Sequence, residues 1–244
     1  MPLNDLETRV AELNARYRHH SATSVLGHAL RDPDAGALAL VSSFGAESVV
    51  LLHMVSVARR DTPVIFLDTE LLFAETLAYQ QEVSERLGLT DLRVIHPDPE
   101  ELRRTDALQT LYRRDTDACC ALRKTRPLQR ALAGFDGWIT GRKRFQGHGR
   151  EALDFFEVEP GTGRIKVNPL AHWRREDVQD YMEENRLPRH PLVAKGYPSI
   201  GCMPCTSPVK KGEDLRAGRW RGEEKSECGI HFVNVKLVKT GVNA

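Results

Sequence analysis

The sequence predicts an α/β protein built on a doubly wound parallel sheet, with a loop-rich C-terminal tail. Short, continuous apolar runs such as 37–41 and 63–67 are typical of strands buried on both faces of a sheet. Stretches with helical periodicity separate these runs, and such β-α-β-α alternation indicates parallel pairing. After about residue 150 the alternation ends, and prolines and glycines become frequent from residue 187 onward.

The elements can be placed in order along the chain. An amphipathic helix over 3–18 is predicted by apolar residues at spacings of three and four, namely Leu3, Leu6, Val10, Leu13 and Tyr17. Parallel strands are expected at 37–41, 63–67, 92–95 and 137–140, with helices at 46–59, 73–87 and 121–132. Gly88 is placed to cap the second of these three helices. A hairpin of strands 155–158 and 164–167 and a helix at 176–186 complete the pattern.

Length and composition define the broad class. The 244 residues suffice for one large domain, and we expect residues 1–205 to form it and 206–244 to form a tail. Lys and Arg number 35 against 34 Asp and Glu, a balance that argues against a general nucleic-acid binder. No apolar run is long enough for a membrane span and no signal peptide is evident, so we expect a cytoplasmic protein. A homo-oligomer is compatible with the sequence.

A small polar loop follows the first strand and is a candidate anion site. It consists of Ser42, Ser43, Phe44, Gly45, Ala46 and Glu47. Glycine allows close backbone approach, and the N-terminus of the next helix offers unpaired N–H groups to an anion. An ordinary strand-to-helix turn with a serine cap explains the same pattern. Asp68, at the end of the second strand, would either orient a nucleotide or cap the helix that follows.

A basic loop follows the fourth strand. It contains Arg142, Lys143 and Arg144, with Arg150 a few residues later. Guanidinium groups match the oxygens of phosphate and sulfate, so this loop is a second candidate anion site. A solvated charged loop is the alternative.

Four of the five cysteines form the strongest pattern. Cys119 and Cys120 are adjacent, and Cys202 and Cys205 form a C-x-x-C pair. Adjacent thiolates reach one tetrahedral zinc ion with difficulty, whereas an iron–sulfur cluster offers a separate iron to each of four cysteines. The pattern therefore favours a cluster, with structural zinc and an unmetallated set as alternatives.

The fifth cysteine, Cys228, lies in a polar segment near the C-terminus. Lys225, Gly229 and His231 surround it in sequence. Nearby cationic groups lower a thiol pKa, so Cys228 is a candidate nucleophile. A small buried hydrophobic residue is the alternative interpretation of a lone cysteine.

Together these parts resemble the assimilatory adenylyl-sulfate reductase family, over about Val41 to His231. The motif from Glu227 to His231 matches the family's nucleophile signature, and the four other cysteines match its cluster-binding branch. The related phosphoadenylyl-sulfate reductases generally lack those four cysteines. The resemblance implies an adenine nucleotide alpha hydrolase-like fold and a 4Fe–4S cluster. It also implies reduction of adenosine 5'-phosphosulfate to sulfite and AMP through a cysteine S-sulfonate, with thioredoxin or a similar dithiol as reductant. That reaction belongs to sulfate assimilation and cysteine biosynthesis.

The resemblance assigns roles residue by residue. Cys228 matches the nucleophile, His231 accompanies it, and Lys124 matches the catalytic lysine beside the cluster. The cluster ligands that it implies are Cys119, Cys120, Cys202 and Cys205. The substrate-binding residues that it implies are Ser42, Ser43, Phe44, Gly45, Ala46, Glu47, Leu67, Asp68, Arg142, Lys143, Arg144, Arg150, Arg216 and Arg219.

Two positions depart from the family pattern, and three other functions compete with it. Glu70 stands where the family often has glycine, and Gly147 stands where it often has serine. The closest competing enzyme is a phosphoadenylyl-sulfate reductase. A cluster-containing ATP-pyrophosphatase that thiolates RNA would normally carry Ser-Gly-Gly-x-Asp-Ser in place of the present serine loop. A non-enzymatic, zinc-stabilised binding domain would leave Cys228 without a role.

Overall fold

In the computed structural model the described residues are 3–147, 150–223, 225 and 229–231. Six strands form one sheet, namely β1 (Leu38–Ser42), β2 (Val64–Leu67), β3 (Leu92–Ile95), β4 (Gly137–Ile139), β5 (Phe156–Glu159) and β6 (Arg164–Val167). The α-helices are α1 (Leu3–Tyr17), α2 (Ala22–Ala29), α3 (Ser48–Ala58), α4 (Ala74–Leu87), α5 (Pro99–Asp106), α6 (Leu111–Arg114), α7 (Thr116–Cys120), α8 (Arg126–Ala131) and α9 (Arg175–Glu184).

The strand order is β3-β2-β1-β4-β6-β5, and all neighbours are parallel except β5 and β6. From β1 the chain passes through β2 to the edge strand β3, and then returns to place β4 on the other side of β1. Helix α3, which follows β1, and helix α8, which precedes β4, therefore lie on opposite faces of the sheet. In open α/β sheets this reversal point opens a crevice at the carboxyl ends of the strands.

Helices cover both faces of the sheet, as the predicted doubly wound architecture requires. On β1 the side chains alternate between the two faces, with Leu38 and Leu40 in the larger core and Ala39 in the smaller one. Helices α1 to α4 and α9 contribute to the larger core. Leu128 and Leu132 pack on the other face with Trp138. The neighbouring strands β2, β1 and β4 are apolar because both of their faces are covered, whereas Arg93 and Val94 of the edge strand β3 are exposed.

The predicted strands and hairpin were confirmed, with bounds shifted by at most one residue. The expected cap at Gly88 was also confirmed, because this residue ends α4 in the left-handed conformation with φ 61°. The single helix expected over 121–132 was wrong in its boundaries and continuity. The helical stretch begins earlier, with α7, continues as a π-helical segment from Ala121 to Thr125, and ends with α8.

Three helices, α2, α5 and α6, and several short turns were not expected from the sequence. Helix α2 follows Ser21, whose side chain accepts a hydrogen bond from the Ser24 N–H, and α5 follows the capping Asp98. Short 3₁₀ segments lie at Arg144–Gln146, Pro191–Lys195, Met203–Cys205 and Gly229–His231. No helix within the described ranges has the length and apolarity needed to cross a bilayer. The domain boundary expected between residues 205 and 206 stays a prediction.

Candidate active site

The loop after β1 turns sharply around a buried aromatic ring. Phe44 has φ 47°, its ring is fully buried, and it packs edge-on against Phe66 at 5.2 Å between centroids. The Ser42 hydroxyl accepts a hydrogen bond from the Phe44 N–H (3.2 Å), and the Ser48 hydroxyl accepts one from the Gly45 N–H (3.0 Å). The buried Phe44 ring thus attaches the loop to the core.

The basic loop after β4 is held by buried polar partners. Arg142 donates to Asn168 Oδ1 (3.1 Å) and pairs with the Glu157 carboxylate. Lys143 Nζ lies 2.8 Å from Glu47 Oε2, and the lysine side chain is only 3% exposed. This ion pair joins the basic loop to the serine loop, so the two candidate anion sites lie side by side and belong to a single site.

Between these loops lies a cleft of about 270 Å³. The predicted site residues that line it are Ser42, Ser43, Gly45, Ala46, Glu47, Leu67, Lys124, Arg142, Lys143, Arg150, Arg216 and Arg219. Six basic side chains and only two acidic ones, Glu47 and Asp214, contribute to the lining. The charge balance suits an anionic ligand.

Three predicted substrate-binding residues do not line the cleft. Phe44 lies beneath the loop, as described above. Asp68 Oδ1 accepts a hydrogen bond from the Glu70 N–H (2.9 Å), and Glu70 adopts φ 59°, a conformation that glycine adopts without strain. Arg144 is exposed, and its Nε donates to the Leu153 carbonyl at 2.6 Å. Their binding roles stay predictions.

A second, smaller pocket brings together two pairs of cysteines that are far apart in the sequence. Its lining includes Cys119, Cys120, Cys202 and Cys205, none of which is in a disulfide. Burial raises the pKa of the Cys119 thiol to about 11, and Cys202 and Cys205 act in the same direction. Burial, followed by Cys202, also raises the pKa of Cys205. No three His, Cys, Asp or Glu side chains in the described ranges are grouped closely enough to hold one metal ion.

Polar side chains reach two of these sulfurs. The Thr69 hydroxyl lies 3.2 Å from Cys202 Sγ, and Lys225 Nζ lies 3.6 Å from Cys120 Sγ. Among the residues that the structure describes, no carboxylate and no imidazole line this pocket. An all-sulfur set of donors with hydroxyl and ammonium groups beside it suits a soft, thiolate-bound metal centre. The residues present therefore fit an iron–sulfur cluster by their chemistry.

The π-helical segment directs the residues that follow the adjacent cysteines. Arg123 points inward, is 1% exposed, and donates to Asp106 Oδ2 (2.8 Å) and to the Thr69 carbonyl (2.8 Å). Lys124 lines both the cleft and the cysteine pocket. π-Helical turns are frequent at functional sites, and here one lies between a pair of thiols and a cleft-lining cation.

Lys124, Arg219 and Trp220 form a wall shared by the cleft and the cysteine pocket. The Arg219 guanidinium lies 4.4 Å from the centroid of the Trp220 ring. Its buried Nε has no hydrogen-bond partner among the described atoms, so an anion in the cleft would satisfy it. The sequence interpretation missed Trp220, although a tryptophan directly after an arginine in a polar tail was an available signal.

Two predicted catalytic positions fall at the limits of the description. Cys228 lies outside the described residues. For His231 the backbone ends the 3₁₀ turn from Gly229, and its side chain lies outside the description. Ile230, between them and not predicted to have a role, lines the cleft.

Comparisons with known proteins agree on one family. Residues 37–208 match the phosphoadenosine phosphosulfate reductase domain. The chain is 47% identical to an adenosine 5'-phosphosulfate reductase of Mesorhizobium japonicum, over 95% of this chain and 91% of that protein. It is 48% identical to a protein of the same name from Chelativorans sp., over 96% and 95%.

Similar solved structures include one reductase and one protein that shares only the fold. A phosphoadenylyl-sulfate reductase of Candida auris in a phosphate complex has a TM-score of 0.70 and 30% identity, and the match covers 82% of this chain and 96% of that one. Yeast FAD synthetase, with a TM-score of 0.53, 16% identity and coverage of 85% and 77%, is similar in fold alone.

Proposed function

This chain belongs to the phosphoadenosine phosphosulfate reductase family, and we propose that it reduces adenosine 5'-phosphosulfate to sulfite and AMP. The relatives of highest identity described above are named for that nucleotide. The four cysteines favour the same substrate, because the resemblance associates them with the adenylyl-sulfate branch. The reaction places the protein among oxidoreductases of sulfate assimilation.

One observation carries the proposal, namely the wall that joins the cationic cleft to the cysteine pocket. Lys124 and Arg219 face both spaces. A nucleotide phosphosulfate bears negative charge on both the phosphate and the sulfo group. Fixed cations in a partly buried cleft stabilise that charge more strongly than they would in water.

We also propose that Cys119, Cys120, Cys202 and Cys205 hold a 4Fe–4S cluster. Their all-sulfur pocket fits such a group. The apolar side chains of Leu71 and Trp220 also line the pocket and would limit the access of water to the cluster. When bound, the cluster would supply local structure and an electrostatic field at the shared wall. The residues of the chain perform the bond-making steps.

In the proposed mechanism the Cys228 thiolate attacks the sulfur of the sulfo group. A sulfur–sulfur bond forms, the sulfur–oxygen bond to the phosphate breaks, and AMP leaves with the bonding electron pair. Cations of the cleft, Arg142 and Lys143 among them, offset the repulsion between two anionic reactants and stabilise charge on the leaving phosphate. The product on the protein is a cysteine S-sulfonate.

An external dithiol completes the cycle. One of its thiolates attacks Cys228 Sγ, and sulfite leaves with the electron pair of the sulfur–sulfur bond. The second thiol then resolves the mixed disulfide, so the dithiol donates two electrons in all. Thioredoxin is the proposed donor, and the cytoplasm, where dithiols stay reduced, is the proposed compartment. Homo-oligomer formation, also proposed, is tested by sedimentation of the purified protein.

A single-turnover experiment tests the reaction. Anaerobic enzyme mixed with adenosine 5'-phosphosulfate and no reductant should release one AMP per active site. Mass spectrometry should locate one sulfo group on the peptide that contains Cys228. Cys228→Ser should form no adduct, since a hydroxyl near neutral pH is a far poorer nucleophile than a thiolate. An adduct on Cys202 or Cys205, or sulfite release by the variant, would contradict the mechanism.

Two further measurements separate the competing functions. Parallel turnover on the 3'-phosphorylated nucleotide distinguishes the two reductases, and we expect the unphosphorylated substrate to be preferred. Analysis of anaerobically purified protein should find iron and acid-labile sulfide. Stoichiometric zinc without iron would exclude the cluster and support a zinc-stabilised domain.

A further inference from the structure

The register of the sheet places Thr140 and Asn168 side by side. Strands β4 and β6 run parallel, with Ile139 opposite Val167. Thr140 and Asn168 directly follow these two residues, at the carboxyl ends of the strands. The Thr140 hydroxyl donates a hydrogen bond to Asn168 Oδ1 (2.9 Å), and the two residues are 2% and 0% exposed. Because Thr140 also lines the cleft, this buried polar pair lies at the edge of the sheet that borders it.

Arg142 is bonded to both members of the pair. Its Nε and its backbone N–H each donate to the Thr140 hydroxyl oxygen at 3.3 Å. Its Nη2 donates to Asn168 Oδ1 (3.1 Å) and pairs with the Glu157 carboxylate of β5. Arg142 is 8% exposed and lines the cleft. Groups from three neighbouring strands of the sheet therefore surround one guanidinium that borders the cleft.

The side-chain amide of Asn168 can face the arginine in only one orientation. Its Nδ2 donates to the Asp154 carbonyl (2.9 Å) and to Glu157 Oε2 (2.8 Å), while its Oδ1 accepts from Thr140 and Arg142. Both donors and both lone pairs of the amide are thus in use. A reversed amide would direct N–H groups at the guanidinium and its oxygen at a carboxylate. The network therefore has a single arrangement, which fixes the direction of the Arg142 side chain.

Stability alone does not account for a charged network at this place. Desolvation offsets most of the attraction in a buried ion pair, and apolar residues of similar volume often stabilise a protein as well or better. Fixing an arginine has another consequence, because a mobile arginine side chain loses much rotamer freedom when it binds an anion. The network restricts that freedom before a ligand arrives, so less is lost on binding.

We propose that Thr140 and Asn168 are positioning residues that hold the Arg142 guanidinium ready for the anionic groups of the nucleotide. This inference rests on the proposed function, because it assigns the guanidinium to a nucleotide phosphosulfate in the cleft. Each of the two residues acts through Arg142. Their effect on nucleotide binding should therefore vanish once Arg142 is replaced.

A double-mutant cycle on AMP affinity tests this dependence, with isothermal titration calorimetry of the anaerobically purified protein. Arg142→Met should weaken AMP binding by on the order of 10- to 100-fold, the effect of losing a hydrogen-bonded charged contact. Thr140→Val keeps the shape of the side chain but removes the hydroxyl, and it should weaken binding by about 3- to 10-fold. In the Arg142→Met background, Thr140→Val should change the affinity by less than about twofold. A general distortion of the cleft would instead weaken binding equally in both backgrounds.

A second variant and a matched control complete the experiment. Asn168→Ala should weaken AMP binding by about tenfold, because it removes the acceptor of Nη2. If that variant does not fold, Thr140→Val decides alone. The control is Thr62→Val, at a threonine that is also 2% exposed and whose hydroxyl donates to the Arg59 carbonyl (2.8 Å). Thr62 precedes β2, at the opposite end of the sheet from the cleft, so this variant should bind AMP as the parent does.

The outcomes separate this inference from the proposed function. A parent protein that binds AMP but forms no S-sulfonate on Cys228 would contradict the proposed function, while the cycle still decides the positioning role. A parent that forms the adduct, with Thr140→Val and Asn168→Ala at parent affinity, would overturn the positioning role alone. Equal losses from Thr140→Val in both backgrounds would overturn it as well. A loss of affinity that requires Arg142 would support it.

Discussion

The buried ion pair behind the adjacent cysteines allows a quantitative test. Arg123 and Asp106 have side chains that are 1% and 0% exposed, and their closest atoms are 2.8 Å apart. Arg123→Met retains much of the apolar stem but removes the hydrogen bonds to Asp106 and to the Thr69 carbonyl. The carboxylate keeps the backbone N–H groups of Thr110 and Leu111 as its donors and loses its counter-charge. Breaking such a pair costs about 3–5 kcal/mol.

For a chain of this size that loss corresponds to a fall of roughly 6–20 °C in the thermal midpoint. Scanning calorimetry of the anaerobically purified protein measures this fall. Arg189→Met, which breaks the exposed pair with Glu183, is the control and should cost less than about 1 kcal/mol. Adding Asp106→Asn to Arg123→Met should recover part of the loss, because no buried charge then remains. An Arg123→Met midpoint equal to that of the control would refute the reasoning.

Three further predictions follow from single contacts. Lys143→Met should weaken AMP binding about 10- to 100-fold in calorimetric titrations, whereas Arg144→Met, whose side chain lies outside the cleft lining, should weaken it less. Gly137→Ala should lower the free energy of unfolding by about 1–3 kcal/mol, because a Cβ there would lie 2.5 Å from a backbone carbonyl of the neighbouring strand. Gly27→Ala, in an uncrowded helix, should be neutral or stabilising. Burial lowers the pKa of His190 to about 4. The free energy of unfolding should therefore decline as the pH falls from about 6.5 toward that value. In urea titrations at each pH, His190→Gln should flatten this decline.

The centre of the sheet could be predicted because strands β1, β2 and β4 are buried on both faces. Such strands consist of uninterrupted apolar residues, and no surface pattern competes with that signal. Helices α2 and α5 were missed although Ser21 and the pair Asp98-Pro99 are recognisable start signals. The π-helical segment has no comparable local signal. Its geometry accompanies a buried contact between Arg123 and Asp106, residues 17 apart in the chain.

The segments that form the candidate site were predictable, but the orientation of their side chains was not. The carboxyl ends of adjacent parallel strands must meet at one edge, so the serine and basic loops could be placed together from the sequence. Which basic side chains turn inward depends on the partners that each one finds. Lys143 reaches Glu47, whereas Arg144, the next residue, reaches the Leu153 carbonyl. The contact of Trp220 with two cations likewise depends on tertiary packing alone.

The wall formed by Lys124, Arg219 and Trp220 also bears on how a newly made chain matures. Because the same side chains face the cysteine pocket and the cleft, insertion of the proposed cluster and binding of the proposed substrate would share one set of groups. We expect a chain without the proposed cluster to bind adenosine 5'-phosphosulfate poorly. A chain without the cluster would then bind little of the nucleotide in the cell. Maturation would have a defined order, in which the cluster is inserted before the nucleotide binds.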